Sequence, residues 1–402
     1  MLMSFRFAHM SDCHLGSWSS HPELRGAPLR AFETAVDKCI QQKVDFIIIA
    51  GDLLDTSLPG VDVLRHCATQ FRKCKEADIP IYLVAGSHDY SPTGKTMLSV
   101  FEEAGLINDV AKCDESGTKL FFTIDKKTGV KLTGIFGRKG SLEVESFSRL
   151  DKSIEEEKGP KIFIFHCGID EHSAIKGMSS VPVALLPKNF DYYATGHIHI
   201  KRIYDFNNSK IAFPGPLFPT SFDELENYDS GFYIVECSDN ISISWEPVNL
   251  FGTLLIEKDA MDKTPPQVEN EIMETLGTRL DNVVVLIKIH GILKNGRPSD
   301  IDFKAITTRA ESIGALTVKK NISKLSSKEM EEVTVDNIAN IDDLERKIVA
   351  QHAGKMQLAG KKDTESLVLS LMNSLKEEKG EDETTATFEE KIKQNAKRLL
   401  KL

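Results

Sequence analysis

Phe190-Asp191-Tyr192-Tyr193-Ala194-Thr195, followed at once by Gly196-His197-Ile198-His199, is the stretch on which the reading of this chain turns. The first six residues read as the end of a buried strand, and Gly196 lets the backbone turn sharply and approach a neighbour closely. At a strand's period of two, His197 and His199 project the same way. A His-x-His pair alone is weak evidence, because paired imidazoles often only hydrogen-bond in a core. Four further clusters change the weighing: Asp12-Cys13-His14, Gly51-Asp52, Gly86-Ser87-His88-Asp89 and His166-Cys167-Gly168. Each follows a short run of apolar strand formers, where a carboxylate or imidazole carries a burial cost unless a partner or a cation meets it. Together the five clusters read as a polynuclear metal site. Mixed carboxylate and imidazole donors suit manganese, iron or zinc, and the absence of thiolates at matched spacing argues against a structural zinc finger. On the strand period Asp12 and His14 share a face with Cys13 turned away, and Asp52 is placed to bridge two ions.

Around these clusters, residues 1–245 alternate strand and helix signals. Helical spacing at Phe32, Val36 and Ile40 precedes the buried strand 44–50, and a second helix over 62–77 precedes the strand 80–85. Strands at 120–124, 130–136, 161–165, 192–195, 211–213, 231–237 and 241–245 follow. Early βα alternation and a strand-rich second half predict an α/β fold, a layered sandwich of mixed β-sheets with its ligands at the carboxyl ends of the strands. From Glu246 the texture changes, and residues 246–330 read as a small α/β domain. Residues 331–402 are polar and charged, with one apolar helical face at Val368, Leu371, Met372 and Leu375. An acidic linker over 376–387 then leads to a narrow stripe of Phe388, Ile392 and Leu399.

Composition sets the outer bounds. At 402 residues and 41% hydrophobic content the chain is long enough for two or three domains with real cores. No apolar run approaches the roughly 18 residues that cross a bilayer, and the amino terminus lacks the layout of a signal peptide. Seven cysteines without regular spacing suit reduced thiols, hence a cytoplasmic setting. A net charge of −10 argues against nucleic-acid binding by bulk charge, so such binding needs a local basic surface or metal ions.

The ordered set Asp12-x-His14, Gly51-Asp52-x-x-Asp55, Gly86-Ser87-His88-Asp89, His166 and Gly196-His197-x-His199 resembles the calcineurin-like metallophosphoesterase superfamily. More narrowly, with a small α/β cap and a charged helical tail, the chain resembles the nuclease subunit of the double-strand-break repair nuclease–ATPase complex (SbcD-like, archaeal type). That resemblance implies two Mn2+ per chain, with Mg2+ or other divalent ions as alternatives. It assigns Asp12, His14, Asp52 and His199 to one ion, and Asp52, His166 and His197 to the other. It makes His88 the residue beside the scissile phosphate, with Asp89 as its orienting partner. It further implies exonuclease and endonuclease activity on DNA ends, a coiled-coil SMC-like ATPase as partner, and a homodimer. Ser87 departs from the family, which usually has Asn there. A serine hydroxyl is shorter and a weaker neutral ligand, so Ser87 either reaches the second ion through water or leaves it loosely held until substrate supplies an oxygen.

Blander readings stand beside these. His9, His66, His172 and His352 read as ordinary core or surface histidines, Cys13 and Cys167 as small buried residues, and Asp55 as support for a loop or ligand. Lys288, His290, Lys294, Arg297, Lys319 and Lys320 read equally well as phosphate contacts or as a solvated strand face. Two other functions fit the same metal core: a phosphoesterase for small substrates, which needs neither cap nor tail, and a weakly catalytic scaffold for DNA ends.

Overall fold

The structure, a computed structural model, describes residues 4–91, 94–137, 142–170, 180–328, 349, 364–377 and 385–400. His172, His352, most of the segment 329–363 and the acidic stretch 378–384 lie outside the described residues. The first half of the fold runs β1 (Phe5–Met10), α1 (Ala27–Gln41), β2 (Phe46–Ala50), α2 (Val61–Glu76), β3 (Ile81–Val84), α3 (Leu98–Glu103) and β4 (Asn108–Asp109). Then follow β5 (Thr123–Ile124), β6 (Lys131–Ile135), α4 (Leu142–Ser148), β7 (Lys161–Phe165), β8 (Gly168–Ile169), β9 (Ser180–Val181) and β10 (Tyr192–Thr195). β11 (Arg202–Phe206), β12 (Ser209–Phe213), α5 (Phe222–Asn227), β13 (Gly231–Cys237) and β14 (Ile241–Pro247) complete the sandwich.

Two six-stranded mixed sheets form, in the orders β14-β13-β1-β2-β3-β4 and β11-β12-β10-β7-β6-β5. Their pairing follows from side-chain alternation. In β2, Phe46, Ile48 and Ala50 face the other sheet while Ile47 and Ile49 face the helices α1 and α2. In β7, Ile162 and Ile164 face inward while Phe163 and Phe165 pack on the outer side with α4. Strands buried on both faces read as continuous apolar runs, which is why these were visible in the sequence. Phe7 and Phe46 stack at 5.0 Å in the layer between the sheets, with Tyr192 edge-on to Phe7 at 5.3 Å. Burial of each such ring stabilises the layer by roughly 1.5–3 kcal/mol.

β1, β2 and β3 are mutually parallel, as are β6, β7, β10 and β12. Their carboxyl ends therefore gather along one rim, and every cluster singled out above begins within three residues of such an end. Beyond the sandwich come β15 (Gly252–Asp259), α6 (Pro265–Leu276), β16 (Val283–Leu293), α7 (Phe303–Ser312) and β17 (Ala315–Ser327), whose strands form a sheet in the order β15-β16-β17. α8 (Thr364–Leu375) and α9 (Thr385–Leu400) pack on each other. Two compact units result: residues 1–259, 268–289 and 302–324 in one, and residues 260–267, 290–301 and 325–402 in the other. Among the described residues no helix is long and apolar enough to cross a membrane.

The inter-sheet layer also holds His9, fully buried, with Nδ1 at 2.9 Å from the Tyr192 hydroxyl. Burial lowers its ring pKa to about 3, against 6.5 in the unfolded chain. Unfolding between those pH values takes up a proton, so stability falls as pH drops below 6.5 and continues falling towards 3. The contribution is about 1.4 kcal/mol per pH unit. His9→Gln, which keeps a polar group against Tyr192 but does not titrate, should flatten the acid limb by about one proton. Urea unfolding of both proteins in chelator at several pH values measures this. Parallel pH dependences in the two would refute it.

Candidate metal centre

The rim draws its donors from five loops, and their backbones are unusual. Asp12, His14, Asp52 and His197 have φ of 50°, 42°, 50° and 78°. Positive φ in non-glycine residues costs about 1–3 kcal/mol each and persists only where the surroundings enforce it. Here Asp12 N–H donates to Gly51 O (3.1 Å), His14 N–H to Asp52 O (3.0 Å) and Leu15 N–H to Leu53 O (2.9 Å), tying the first two loops together. This corrects the strand-period argument. β1 ends at Met10 and β10 at Thr195, so Asp12, His14, His197 and His199 lie past the strands in left-handed and looped backbone. The two imidazoles of the His-x-His pair consequently enter different groups.

Among the described residues three donor groups form: Asp12, His14 and His199; Asp52, His166 and His197; and a more open one of His14, Asp55 and His88. His14 Nε2 faces His199 Nε2 at 3.2 Å, and His199 Nε2 lies 3.4 Å from Asp12 Oδ1. Asp52 Oδ2 sits 3.0 Å from His166 Nε2 and 3.9 Å from His14 Nε2, so this carboxylate adjoins the first two groups. Outer hydrogen bonds fix which nitrogen faces inward. His166 Nδ1–H donates to Ala50 O at 2.8 Å, and His199 Nδ1–H donates to Glu224 Oε1 at 2.9 Å. A carbonyl or carboxylate can only accept, so each Nε2 is the atom left to bind inward. His166 Nε2 is buried with no hydrogen-bond partner among the described residues.

These observations fit a pair of divalent ions. Buried carboxylates opposed by inward Nε2 atoms form a donor set for such ions. The charges within the site are strongly coupled. His166, which burial alone would depress, is carried up to about 9 by the Asp52 charge beside it, and His199 is carried up to about 10 by Asp12. Asp12, which burial would raise, is held down at about 2 by His199, while His197 is lowered to about 4 by burial. Glycines leave the room: a Cβ on Gly196 would meet Ala50 O at 2.5 Å, Ser11 Cβ at 2.7 Å and His166 Nδ1 at 2.9 Å, and one on Gly86 would collide with Asp52.

Ser87 is half-buried in the turn after β3, between the Gly86 N–H that donates to Asp89 Oδ2 (2.8 Å) and the His88 N–H that donates to Asp52 Oδ1 (2.8 Å). His88 is exposed, its ring edge-on to His14 at 4.8 Å, and its Nδ1–H donates to the Asp55 carbonyl at 2.8 Å. The backbone of Asp55, and not Asp89, therefore orients His88. Asp89 is wholly buried and accepts from Gly86, Leu54 (2.9 Å) and Leu53 (3.3 Å), clasping the loop after β2 to the turn after β3. Burial, reinforced by Asp52, pushes its carboxyl up to about 7. It gives the site its shape and does not contact the His88 ring. The Asp55 carboxylate lies 3.4 Å from His14 Nδ1. Several cap cations have partners: Lys288 pairs with Glu226 at 2.7 Å, while Lys319 and Lys320 lie over the Trp18 and Phe303 rings at 4.8 and 3.9 Å.

Glu224 escaped the sequence reading. Its signal was the Ser221-Phe222-Asp223-Glu224 spacing of a helix start, in which the Ser221 hydroxyl accepts from Glu224 N–H.

A two-sheet sandwich with two adjoining carboxylate–imidazole groups on its rim defines the metallophosphoesterase class, and residues 5–201 match the calcineurin-like phosphoesterase family. The enzyme is a metal-dependent phosphodiesterase. Within the class the chain is similar to the DNA double-strand break repair protein Mre11 of Methanococcus maripaludis, 26% identical over 84% of this chain and 89% of that one. The corresponding protein of Sulfurisphaera tokodaii is 28% identical over 58% of this chain and 60% of that one. The metallophosphoesterase YhaO of Bacillus subtilis is 26% identical over 66% and 64%, respectively. The phosphoesterase match and these relatives together support an Mre11/SbcD-like nuclease.

Proposed function

We propose that this chain is a manganese-dependent DNA nuclease, both exonuclease and endonuclease, that processes double-strand-break ends in the cytoplasm with a coiled-coil SMC-like ATPase. One observation carries the reading: Asp12-His14-His199 and Asp52-His166-His197 adjoin at Asp52, with exposed His88 alongside. Two ions so held would neutralise phosphate charge and supply a nucleophile at neutral pH. The chain's own part is then threefold. Asp12 and Asp52 would supply the negative charge that holds the ions, and His14, His166, His197 and His199 would offer imidazole nitrogens as donors. His88, fixed at Nδ1 by Asp55 O, presents Nε2 to the leaving oxygen of a bound phosphodiester. Its proton assists departure of that oxygen.

The relatives' names supply the DNA substrate class, and the cap at 246–330 and tail at 331–402 are proposed as DNA-covering and ATPase-binding parts of a homodimeric enzyme. End-labelled duplex, a DNA hairpin and a chromogenic phosphate ester, each assayed with Mn2+, Mg2+ and chelator, test the reading. Cleavage of both DNAs with Mn2+ is expected. Turnover of the ester alone would overturn it in favour of a small-substrate phosphoesterase.

Two further expectations belong here. Ser87 has the shorter arm of the two residue types, so Ser87→Asn should tighten the more weakly held ion and raise activity at limiting Mn2+. Calorimetric titration checks this, and equal or weaker affinity in the variant refutes it. In the tail, Phe388, Ile392 and Leu399 are only half-buried on α9, and Leu375 on α8 is 70% exposed. Two such side chains contribute roughly 1.5–3 kcal/mol each when covered. Phe388→Ala with Ile392→Ala should therefore weaken ATPase binding about 100-fold while sparing cleavage of short DNA. Pull-down with a parallel nuclease assay measures both, and undiminished binding moves the partner to another surface.

A further inference from the structure

α5 is six residues long, and three consecutive side chains on it reach two different places. Glu224 accepts from His199 Nδ1–H at 2.9 Å, with its second oxygen taken by Thr220 N–H at 2.7 Å. Its side chain is 12% exposed, so the contact is made largely out of water. Leu225, the next residue, is buried in an apolar cluster with Leu24 and with Val284 and Leu286 of β16. Glu226, the one after, pairs with Lys288 of the same strand at 2.7 Å, and its own side chain is only 10% exposed. A buried carboxylate with one strong partner is set in place by that partner, because leaving the charge unpaired is costly.

We propose that Glu224 is a positioning residue for His199, and that β16 of the cap sets it in place through Leu225 and Glu226 on α5. The proposal rests on the two-ion reading above and adds to it a residue outside both donor groups. A histidine ligand whose far nitrogen donates to a carboxylate is held to one tautomer and one ring orientation. Without Glu224, His199 can rotate or present the wrong nitrogen. With Glu224 in place, the height and tilt of α5 decide where Nε2 stands relative to Asp12 and His14. The sequence places Lys288 and His199 far apart, yet α5 joins them through two side-chain contacts. The cap thereby acts on the metal centre without touching it.

Mn2+ titration of the full chain, with free ion read by electron paramagnetic resonance, tests this. The variants are Glu224→Ala, Glu224→Gln, Lys288→Glu and His199→Ala, with thermal unfolding in chelator as the folding control. Glu224→Ala should weaken by about 10–100-fold the one ion that His199→Ala also loses, leaving the other unchanged. Glu224→Gln, whose amide oxygen still accepts from Nδ1–H, should recover most of that loss. Lys288→Glu sets a second carboxylate against Glu226 and should weaken the same ion several-fold, although residue 288 touches no donor. Should Glu224→Ala fail to fold, the Gln and Lys288 variants still decide.

Equal affinities in wild type and Glu224→Ala overturn the positioning role, as does uniform weakening of both ions. An unchanged titration in Lys288→Glu overturns the link to the cap. A wild-type chain that binds fewer than two ions overturns the two-ion reading itself, a result distinct from all the others.

Discussion

Asp52→Asn should lower phosphodiester cleavage by about 10³-fold or more and weaken binding of both ions. The substitution is nearly isosteric, so its effect is electrostatic. Asp52 is 2% exposed, and its Oδ2 lies between His166 Nε2 at 3.0 Å and His14 Nε2 at 3.9 Å. An amide there keeps an acceptor for the His88 N–H now bonded to Oδ1 at 2.8 Å, so the turn after β3 survives. What disappears is the negative charge that adjoins both donor groups. Asp52 is held well below the usual carboxylate range: burial opposes this, and the charge of the adjacent His166 prevails. Removing Asp52 also removes the cause that carries His166 up to about 9, so the imidazole should lose its proton near neutrality in the metal-free variant. A factor of 10³ corresponds to about 4 kcal/mol of transition-state stabilisation, reasonable for a charge lost from a dry site. The measurements are kcat/KM on duplex DNA, ion stoichiometry by calorimetry and far-ultraviolet circular dichroism. Activity within tenfold of wild type would remove Asp52 from its bridging position, and loss of the folded spectrum would make its role structural.

The legible part of this protein was its strands and their ends. Runs such as Phe46–Ala50 and Lys161–Phe165 carry apolar side chains on both faces, and a donor just beyond each run costs energy unless something receives it. That logic singled out five clusters, and the family resemblance then assigned Asp12, His14, Asp52, His88, His166, His197 and His199 within them. The strand period misjudged how two of those residues point. A period of two places Asp12 with His14, which do share a group, and His197 with His199, which the left-handed backbone at His197 sends into separate groups. The left-handed φ values in this site are enforced by bonds between loops, such as His14 N–H to Asp52 O, and no local pattern encodes such a bond.

Asp89 illustrates a second limit. The family resemblance makes it the orienting partner of His88, but its carboxylate is buried and accepts from three backbone amides in two loops. Glu224 illustrates a third. It stands on a six-residue helix 25 positions from His199, and the helix owes its place to tertiary contacts made by Leu225 and Glu226. Helices this short have little stability of their own, so periodicity gives no warning of them. β17 runs to Ser327, well past the segment at 316–320 that marked it, because its later residues are only partly covered.

His88→Ala should leave both ions bound while suppressing cleavage by about 10²–10⁴-fold. The two halves of that expectation have separate grounds. His88 is exposed and enters only a third, more open donor group, His14-Asp55-His88, which shares just His14 with the other two. It meets the buried site through its backbone N–H to Asp52 and its ring edge on His14. Alanine keeps that N–H, so Asp52 stays oriented and ion binding persists. The ring is a different matter. With Nδ1–H committed to Asp55 O at 2.8 Å, only Nε2 is free to face a substrate. The imidazole is thereby held in the orientation that proton transfer to a leaving oxygen requires. Alanine removes the proton donor but not the ions, so substrates with better leaving groups should be less affected. A chromogenic ester, provided the enzyme turns it over at all, should lose far less activity than DNA. Metal titration alongside cleavage of DNA and of the ester separates these effects. Loss of an ion in His88→Ala would make His88 a ligand, and equal losses on both substrates would remove it from protonation of the leaving group.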